Sequence, residues 1–280
     1  MNALTIKKIN AAGIGDLLSS TKSVGWEIFP EDVKMMIENP HSGAFVAFSG
    51  NRVAGTGCYS GNDDGSVVFI SLITVKEEFR RQGIATEMMK TIFAANPQAE
   101  TFRLFASEMG KNLYEKLGFT VRRSVGFIAG TAEGASRPGD ASQVKKCDRL
   151  EPWMLALDEK YAAPKRRKLL ELAAQRENPL IFALPDQTGF ALGRKFDHGV
   201  DISLVEAATL QNALNLVSAF AAGTSPQDAV VISVAEFQAE FQNRLASCGF
   251  KAAHVVTDML RGRELPAPHS EYFALYSYIG

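Results

Sequence analysis

The sequence predicts an α/β protein in which one order of strands and helices occurs twice, and two observations lead to this prediction. Strand-like and helix-like segments alternate from residue 4 to about residue 128, and a second such pattern runs from Leu180 onward. The segment Asn112–Phe119 (NLYEKLGF) aligns without gaps on Asn243–Phe250 (NRLASCGF), and each copy follows an apolar, strand-like segment. Because this similarity is in register with the order of elements, we expect a duplicated module rather than two unrelated domains.

The first copy can be divided into elements from its periodicity and from the residues that start and stop helices. Pro30 suits the first turn of a helix, and Asn39 before a proline suits its end. The run Ser66–Val75 (SVVFISLITV) is apolar and β-branched almost throughout, as expected of a central strand that is covered on both faces. Strands are predicted at 4–9, 44–48, 52–59, 66–75, 101–107 and 119–128, and helices at 14–20, 30–38, after Gly83 and at 109–117.

Glycine, serine and proline interrupt all periodicity between residues 130 and 148, which predicts a linker. Helical patterns resume after it and are followed by the second α/β pattern. We therefore predict a first, catalytic domain at 1–130, a linker with connector helices at 131–178 and a second, degenerate domain at 179–280.

Composition excludes several classes of function. The net charge of −1 gives no global field for nucleic acid or for an anionic membrane, and no apolar run has the ~20 residues that a spanning helix needs. The N-terminus lacks the apolar core of a signal peptide, and three scattered cysteines without a zinc spacing indicate reduced thiols. We expect a cytoplasmic protein with no metal, no nucleic-acid partner and no membrane partner, and we leave a homodimer open. The basic run Lys165–Lys168 is interpreted as a solvated helix face.

A candidate anion site follows the central strand. The strand ends in a charged loop with Arg80 and Arg81, then Gly83 and Ala85 open an amphipathic helix. The first N–H groups of a helix have no partner within it, and the helix dipole is positive at that end. Small residues let a phosphate approach this backbone, and the arginines add charge. Taken alone, the six residues Arg80–Ala85 are also compatible with an ordinary charged loop.

Together with the elements around it, the loop resembles the GNAT superfamily of N-acetyltransferases. VKEEFRRQGIATEMM (75–89) is similar to the family's pyrophosphate-binding motif, and NLYEKLGF is similar to its following helix. The resemblance covers residues 4 to about 128. It implies modules that each hold a mixed, mostly antiparallel sheet flanked by helices. It also implies acetyl-CoA as co-substrate and direct attack by the amine of a small-molecule or amino-acid-like acceptor.

The resemblance also implies roles for single residues. The pyrophosphate would be held at Arg80, Arg81, Gln82, Gly83, Ile84 and Ala85, and the pantetheine arm would pair with the backbone of Ile73, Thr74 and Val75. Tyr114 falls on the family's general acid, which protonates the departing thiolate; packing of its ring on the helix face is the alternative. Ser107 and Gly110 stand where the family often has Asn and Ala, so a contact from Ser107 to CoA is an open expectation.

The general base and the acceptor pocket stay open at this point. Many relatives carry Glu on the central strand, whereas FISLITV has no carboxylate. Ser71 could position a water molecule, Glu108 lies near the right region, and His41 is interpreted as a loop residue. Trp26 is a candidate for the acceptor pocket, with a place in the core as the alternative.

The second half lacks the residues that carry this chemistry. Leu245 aligns with Tyr114, and SLVEAATLQNALNLV has neither a glycine-rich loop nor flanking arginines. The arrangement resembles tandem acetyltransferases in which only the first module is catalytic, so we predict one CoA site per chain. Two other classes stay open: a non-catalytic acyl-CoA-binding regulatory module, and an interaction scaffold in which both modules have decayed.

Overall fold

The computed structural model describes residues 3–26, 28–161, 165–266 and 272–274, which build one continuous sheet flanked by helices. All predicted strands and helices of the first half are present, with ends shifted by a few residues. They are β1 (Leu4–Lys8), α1 (Ile14–Ser23), α2 (Pro30–Glu38), β2 (Ser42–Ser49), β3 (Arg52–Gly61), β4 (Val67–Val75), α3 (Ile84–Ala95), β5 (Thr101–Ala106), α4 (Glu108–Lys116) and β6 (Thr120–Thr131).

The second half repeats this order of elements. The segment from β8 to β12 has the same succession of strands and helices as the segment from β2 to β6. Its elements are α5 (Ala132–Ala135), β7 (Lys145–Cys147), α6 (Pro152–Tyr161), α7 (Arg167–Ala173), β8 (Pro179–Ala183), β9 (Gly189–Phe196), β10 (Gly199–Ala207), α8 (Leu210–Ala221), β11 (Ala229–Ala235), α9 (Ala239–Ser247), β12 (Lys251–Gly262) and β13 (Tyr272–Ala274).

The described strands form a single sheet in which the two modules exchange their last long strands. The order is β1-β2-β3-β4-β5-β12-β6-β11-β10-β9-β8-β7, with β13 paired to β10. Thus β12 of the second module lies beside β5 of the first, and β6 of the first lies beside β11 of the second. The two exchanged strands also pair with each other. Each module therefore depends on the other for one strand of its sheet.

The pairing confirms the predicted fold class. In each module one pair of strands is parallel, β4 with β5 and β10 with β11, and the other described pairs are antiparallel. A helix connects the two strands of each parallel pair, as parallel neighbours require. On α3 the buried side chains Met88, Met89 and Ile92 pack against the core of the first module.

The predicted linker contains folded elements. β7 pairs with β8, and the buried residues Ala132 and Ala135 of α5 belong to the core of the second module. A Cβ on Gly139 would lie 2.4 Å from the backbone carbonyl carbon of Leu214, so this glycine reflects close packing rather than a flexible linker. The division at 1–130, 131–178 and 179–280 stays a prediction, and β6 crosses its first boundary.

Buried ion pairs connect the two modules. Asp258 of β12 is fully buried and lies 2.8 Å from the Nε of Arg103 on β5 and 3.2 Å from that of Arg123 on β6. Asp32 of α2 receives hydrogen bonds from Arg176 at 2.8 Å and Arg194 at 2.9 Å, both in the second half. Removing one partner of a buried pair costs about 3–5 kcal/mol. The interface between the modules is therefore built like a protein interior.

The interpretation of Lys165–Lys168 as a solvated face is wrong for Arg166. Its side chain is 2% exposed and donates to Asp158 Oδ1 at 2.7 Å. A guanidinium can be buried when a carboxylate accepts its hydrogen bonds. Its neighbour Arg167 remains half-exposed and pairs with Glu159. Among the described helices, none has the length and apolar character to cross a membrane.

Candidate active site

The candidate site lies where β4 and β5 diverge. The two strands pair only from Val67 to Ile70 on β4, and a bulge opposite β3 follows, with a left-handed φ of 53° at Leu72. A bulge of this kind bends the strand and ends regular pairing. A cavity of about 970 Å³ occupies the resulting gap. On the side of β5, the backbone of β4 beyond Ile70 therefore faces a cavity instead of a neighbouring strand.

The cavity brings together most of the residues that the sequence predicts for the site. Among the described residues, the predicted ones that line it are Trp26, Ser71, Ile73, Thr74, Val75, Arg80, Arg81, Gly83, Ile84, Ala85, Ser107 and Tyr114. Gln82 does not line it: its side-chain amide donates to the carbonyl of Glu78 at 3.3 Å. Neither Glu108 nor His41, two weaker candidates for the base, is part of the described lining. The loop, the strand end and the tyrosine thus share one space.

The loop before α3 has the geometry of an anion site. Gly83 occupies the N-cap of α3 with φ at 79°, and no side chain caps the helix. Arg81 also has a positive φ of 60°, and such turns of the backbone make concave anion sites. The Arg80 side chain donates to the carbonyl of Val75 at 3.3 Å, which keeps it beside the strand end. Free helix amides with two arginines fit the pyrophosphate of CoA.

Tyr114 packs within the protein and also lines the cavity. Its ring packs edge-on against Phe119 at 5.9 Å, and the residue is 7% exposed while lining the cavity. A Cβ on Gly110 would lie 2.9 Å from the ring, so glycine at this position makes room for the tyrosine. Burial raises the pKa of the Tyr114 hydroxyl, which therefore stays protonated around neutral pH.

Three other polar side chains at the cavity already have partners within the protein. Ser107 caps α4 by accepting from the backbone N–H of Gly110 at 3.3 Å. The Thr74 hydroxyl lies 2.7 Å from that of Thr56 and is buried. Ser71 Oγ donates to the sulfur of Met36 at 3.8 Å. The proton of Ser71 is therefore directed away from the cavity, although its oxygen can still accept a hydrogen bond.

Exposed apolar side chains line part of the cavity, and some of them come from the second module. Trp26 is 42% exposed and lines the cavity, so the alternative of a core tryptophan is wrong. Exposed Met109 and Val255 also line it. The sequence reasoning missed the lining residues Thr86, Met109, Leu113, Phe127, His254, Val255 and Val256. The last three lie on β12, and no sequence signal shows that β12 is exchanged into the first module.

The described residues contain no group of three or more His, Cys, Asp or Glu side chains placed to hold a metal ion. The ionisable groups of the described lining are two arginines, one tyrosine and one histidine. Such a set can bind an anion and exchange protons.

Comparisons with protein families agree with the duplicated order of elements. Residues 12–119 match the model described as the acetyltransferase (GNAT) family, and residues 154–274 match an acetyltransferase (GNAT) domain. A curated relative from Bacillus subtilis (strain 168), "Uncharacterized N-acetyltransferase YitH", is 25% identical over 119 residues, which cover 42% of this chain. The match spans 41% of the length of that relative.

Solved structures share the whole architecture. A candidate acetyltransferase from Pyrococcus horikoshii superposes with a TM-score of 0.82 at 19% identity, over 99% of this chain and 96% of the other. A tandem GNAT protein from the clavulanic acid biosynthesis pathway superposes with a TM-score of 0.65 at 11% identity, over 95% of this chain and 100% of the other. At such identities the likeness shows the fold alone.

Proposed function

Because the chain belongs to the GNAT acyltransferases and is of their tandem type, we propose that its first domain acetylates an amine with acetyl-CoA as donor. The acceptor is a small-molecule or amino-acid-like amine that attacks the thioester directly. One observation carries this proposal: a single cavity joins the uncapped start of α3, the unpaired end of β4 and the hydroxyl-bearing side chain of Tyr114.

The donor is held by backbone as much as by side chains. The N–H groups at the start of α3 and the charges of Arg80 and Arg81 bind the pyrophosphate. The strand end Ile73–Val75, which has no partner strand on the β5 side, offers its N–H and C=O groups to the pantetheine amides. Bound in this way, acetyl-CoA supplies a thioester whose carbonyl carbon is open to attack.

Tyr114 supports departure of the thiolate. The phenol is a weaker acid than a thiol, whose unperturbed pKa is ~8.5, and burial strengthens that difference. Its hydroxyl therefore acts first as a hydrogen-bond donor to the developing charge on sulfur, and its proton follows as the bond breaks.

The acceptor enters beside the exposed apolar side chains of the lining. Trp26, Met109 and Val255 present apolar surface there, and the described lining contains no carboxylate. A second cationic group on the acceptor would find no carboxylate partner in this lining. This surface therefore favours an amine with an aromatic or aliphatic body, which gains by burying apolar area.

Replacement of Tyr114 with Phe tests the reaction. We expect kcat to fall about 100-fold or more, the usual contribution of a general acid, while the Kd of acetyl-CoA stays within a factor of two or so of the wild-type value. Thiol release measures the first and titration calorimetry the second. Tyr59→Phe is the matched control, because Tyr59 is buried outside the cavity.

An unchanged kcat in Tyr114→Phe would remove the assignment of the acid. Binding of acetyl-CoA without turnover across an amine library would favour the regulatory module instead. Absence of binding would favour the scaffold.

A further inference from the structure

The cavity of the first domain is completed by β12 of the second. β12 pairs with β5 from Thr257, which lies opposite Ala106, the last residue of β5. Before Thr257, β12 continues beside β6 alone, with His254 opposite Phe127 and Val256 opposite Val125. Residues 254–256 of β12 therefore lie just beyond the end of β5, and all three line the cavity. His254 is thus the imidazole that the exchange of strands brings to the site.

Local structure fixes the ring of His254. The register of β12 shifts between Ala252 and His254, and such a bulge redirects the side chains next to it. The imidazole stacks on the ring of Phe127, with centroids 4.5 Å apart and planes 19° apart. His254 is an exposed residue, and the partial burial of its ring lowers its pKa without a contribution from a charged neighbour. The neutral imidazole, which can accept a proton, is therefore the prevailing form around neutral pH.

Apart from His254, the polar side chains of the described lining carry only guanidinium, alcohol or phenol groups. Arg80 and Arg81 carry guanidinium groups without an acceptor atom, and the Tyr114 hydroxyl stays protonated. The hydroxyl groups of Ser71 and Thr74 are hydrogen-bonded within the protein. No carboxylate belongs to this lining. A site for amine acylation needs a proton acceptor, because the attacking nitrogen must lose a proton.

We propose that His254, supplied by the second domain, is the catalytic base of the first, acting directly or through one water molecule. This proposal rests on the proposed function. As the acceptor nitrogen bonds to the acyl carbon and the carbon–sulfur bond breaks, one proton passes from the nitrogen to the imidazole. The sulfur takes its proton from Tyr114. Solvent then returns the proton of the imidazolium to the phenolate, so the enzyme is regenerated and no other reactant is needed.

The variant His254→Gln tests the base in turnover. We expect kcat/KM to fall about 100-fold while the Kd of acetyl-CoA is unchanged. The wild-type rate should fall as the pH drops below a pKa that lies under the usual 6.5, because protonation removes the acceptor. Burial raises the pKa of Tyr114, which keeps its proton over that range and does not produce this limb. In His254→Gln the acidic limb should be absent.

Two matched variants sharpen this result. His198→Gln makes the same change at a histidine of the second module outside the cavity lining, and it should keep both rate and pH profile. Glu27, which lies between two lining residues in sequence, is outside the described residues, so Glu27→Gln tests a competing base. The proposal would be overturned if His254→Gln kept the wild-type kcat/KM and the acidic limb of the pH profile. It would also be overturned if only Glu27→Gln lost that limb, or if His254→Gln bound acetyl-CoA more weakly.

A second measurement needs no acceptor. The chain has four histidines, and the resonances of His254 and His198 can be assigned from their loss in the two histidine variants. Acetyl-CoA should shift the resonance of His254 and leave that of His198 in place. If acetyl-CoA does not shift the resonance of His254, the proposal is overturned, and this result does not depend on knowing the acceptor. A shift at His254 without turnover of any amine would instead contradict the transfer reaction.

Discussion

The same cleft occurs twice in this molecule, open in the first module and filled in the second. In the first, β4 leaves β5 after Ile70 and a cavity follows. In the second, β10 leaves β11 after Ile202, but β13 then pairs with β10 at Val205 and Glu206. Because β9 occupies the other side of β10, β13 lies on the side where β11 has diverged. The chain thus supplies its own strand where the first module has unpaired backbone.

The loops that precede the matching helices α3 and α8 also differ, and only the first leaves the start of its helix uncapped. In the first module eight residues, Lys76–Gly83, separate β4 from α3, and no side chain caps that helix. In the second, only Ala208 and Thr209 separate β10 from α8, and the Thr209 hydroxyl accepts from the N–H of Asn212 at 3.2 Å. A side chain therefore occupies one of the amides that would bind phosphate. The short, capped loop of the second module therefore lacks the geometry of the anion site in the first.

Buried polar groups replace ligand space in the second cleft. Glu206 of β10 is fully buried near Arg166, and burial together with Asp158 raises the pKa of its carboxyl. Leu245 takes the position of Tyr114 and belongs to the core. The two modules thus differ at three places around the cleft: the second has a shorter loop, a filled strand gap and an apolar residue in place of a phenol.

The largest effect is expected from emptying the second cleft. Phe273 of β13 is 6% exposed and packs edge-on against Phe241 at 5.3 Å. Phe273→Ala should lower the free energy of unfolding by about 3–5 kcal/mol, because it leaves a cavity in the core. Trp26→Ala in the first cleft should change it by less than ~0.5 kcal/mol, since Trp26 is exposed. Urea denaturation measures both values. Equal losses in the two variants would mean that the two clefts do not differ in this way.

A smaller effect is expected at the phosphate loop. Arg80→Gln and Arg81→Gln should each raise the Kd of acetyl-CoA about tenfold, which corresponds to about 1.4 kcal/mol. The effect should shrink at high salt, because both side chains are exposed. Titration calorimetry at two salt concentrations measures it. Arg137→Gln, at an exposed arginine of the second half that pairs with Glu133, is the control. A change in Arg137→Gln as large as in the loop variants would indicate a general effect of charge.

Local sequence patterns predict one part of this structure and not the other. The β-branched run of β4, the loop at Arg80 and Arg81, and the order of elements in both halves follow from neighbouring residues. The exchange of β6 and β12 does not, because pairing between strands that are far apart in the sequence leaves no periodic signal. His254 was therefore an isolated histidine in the sequence. The interpretation of Arg166 as solvated is wrong because its partner Asp158 comes from another helix.

The stoichiometry of acetyl-CoA binding tests the difference between the two clefts most directly. Titration calorimetry on the whole chain should give one site per chain. The double variant of Arg80 and Arg81 to Gln should weaken that site without uncovering another. Two sites per chain, or one site whose affinity is unchanged in the double variant, would contradict a single CoA site at the loop of the first module.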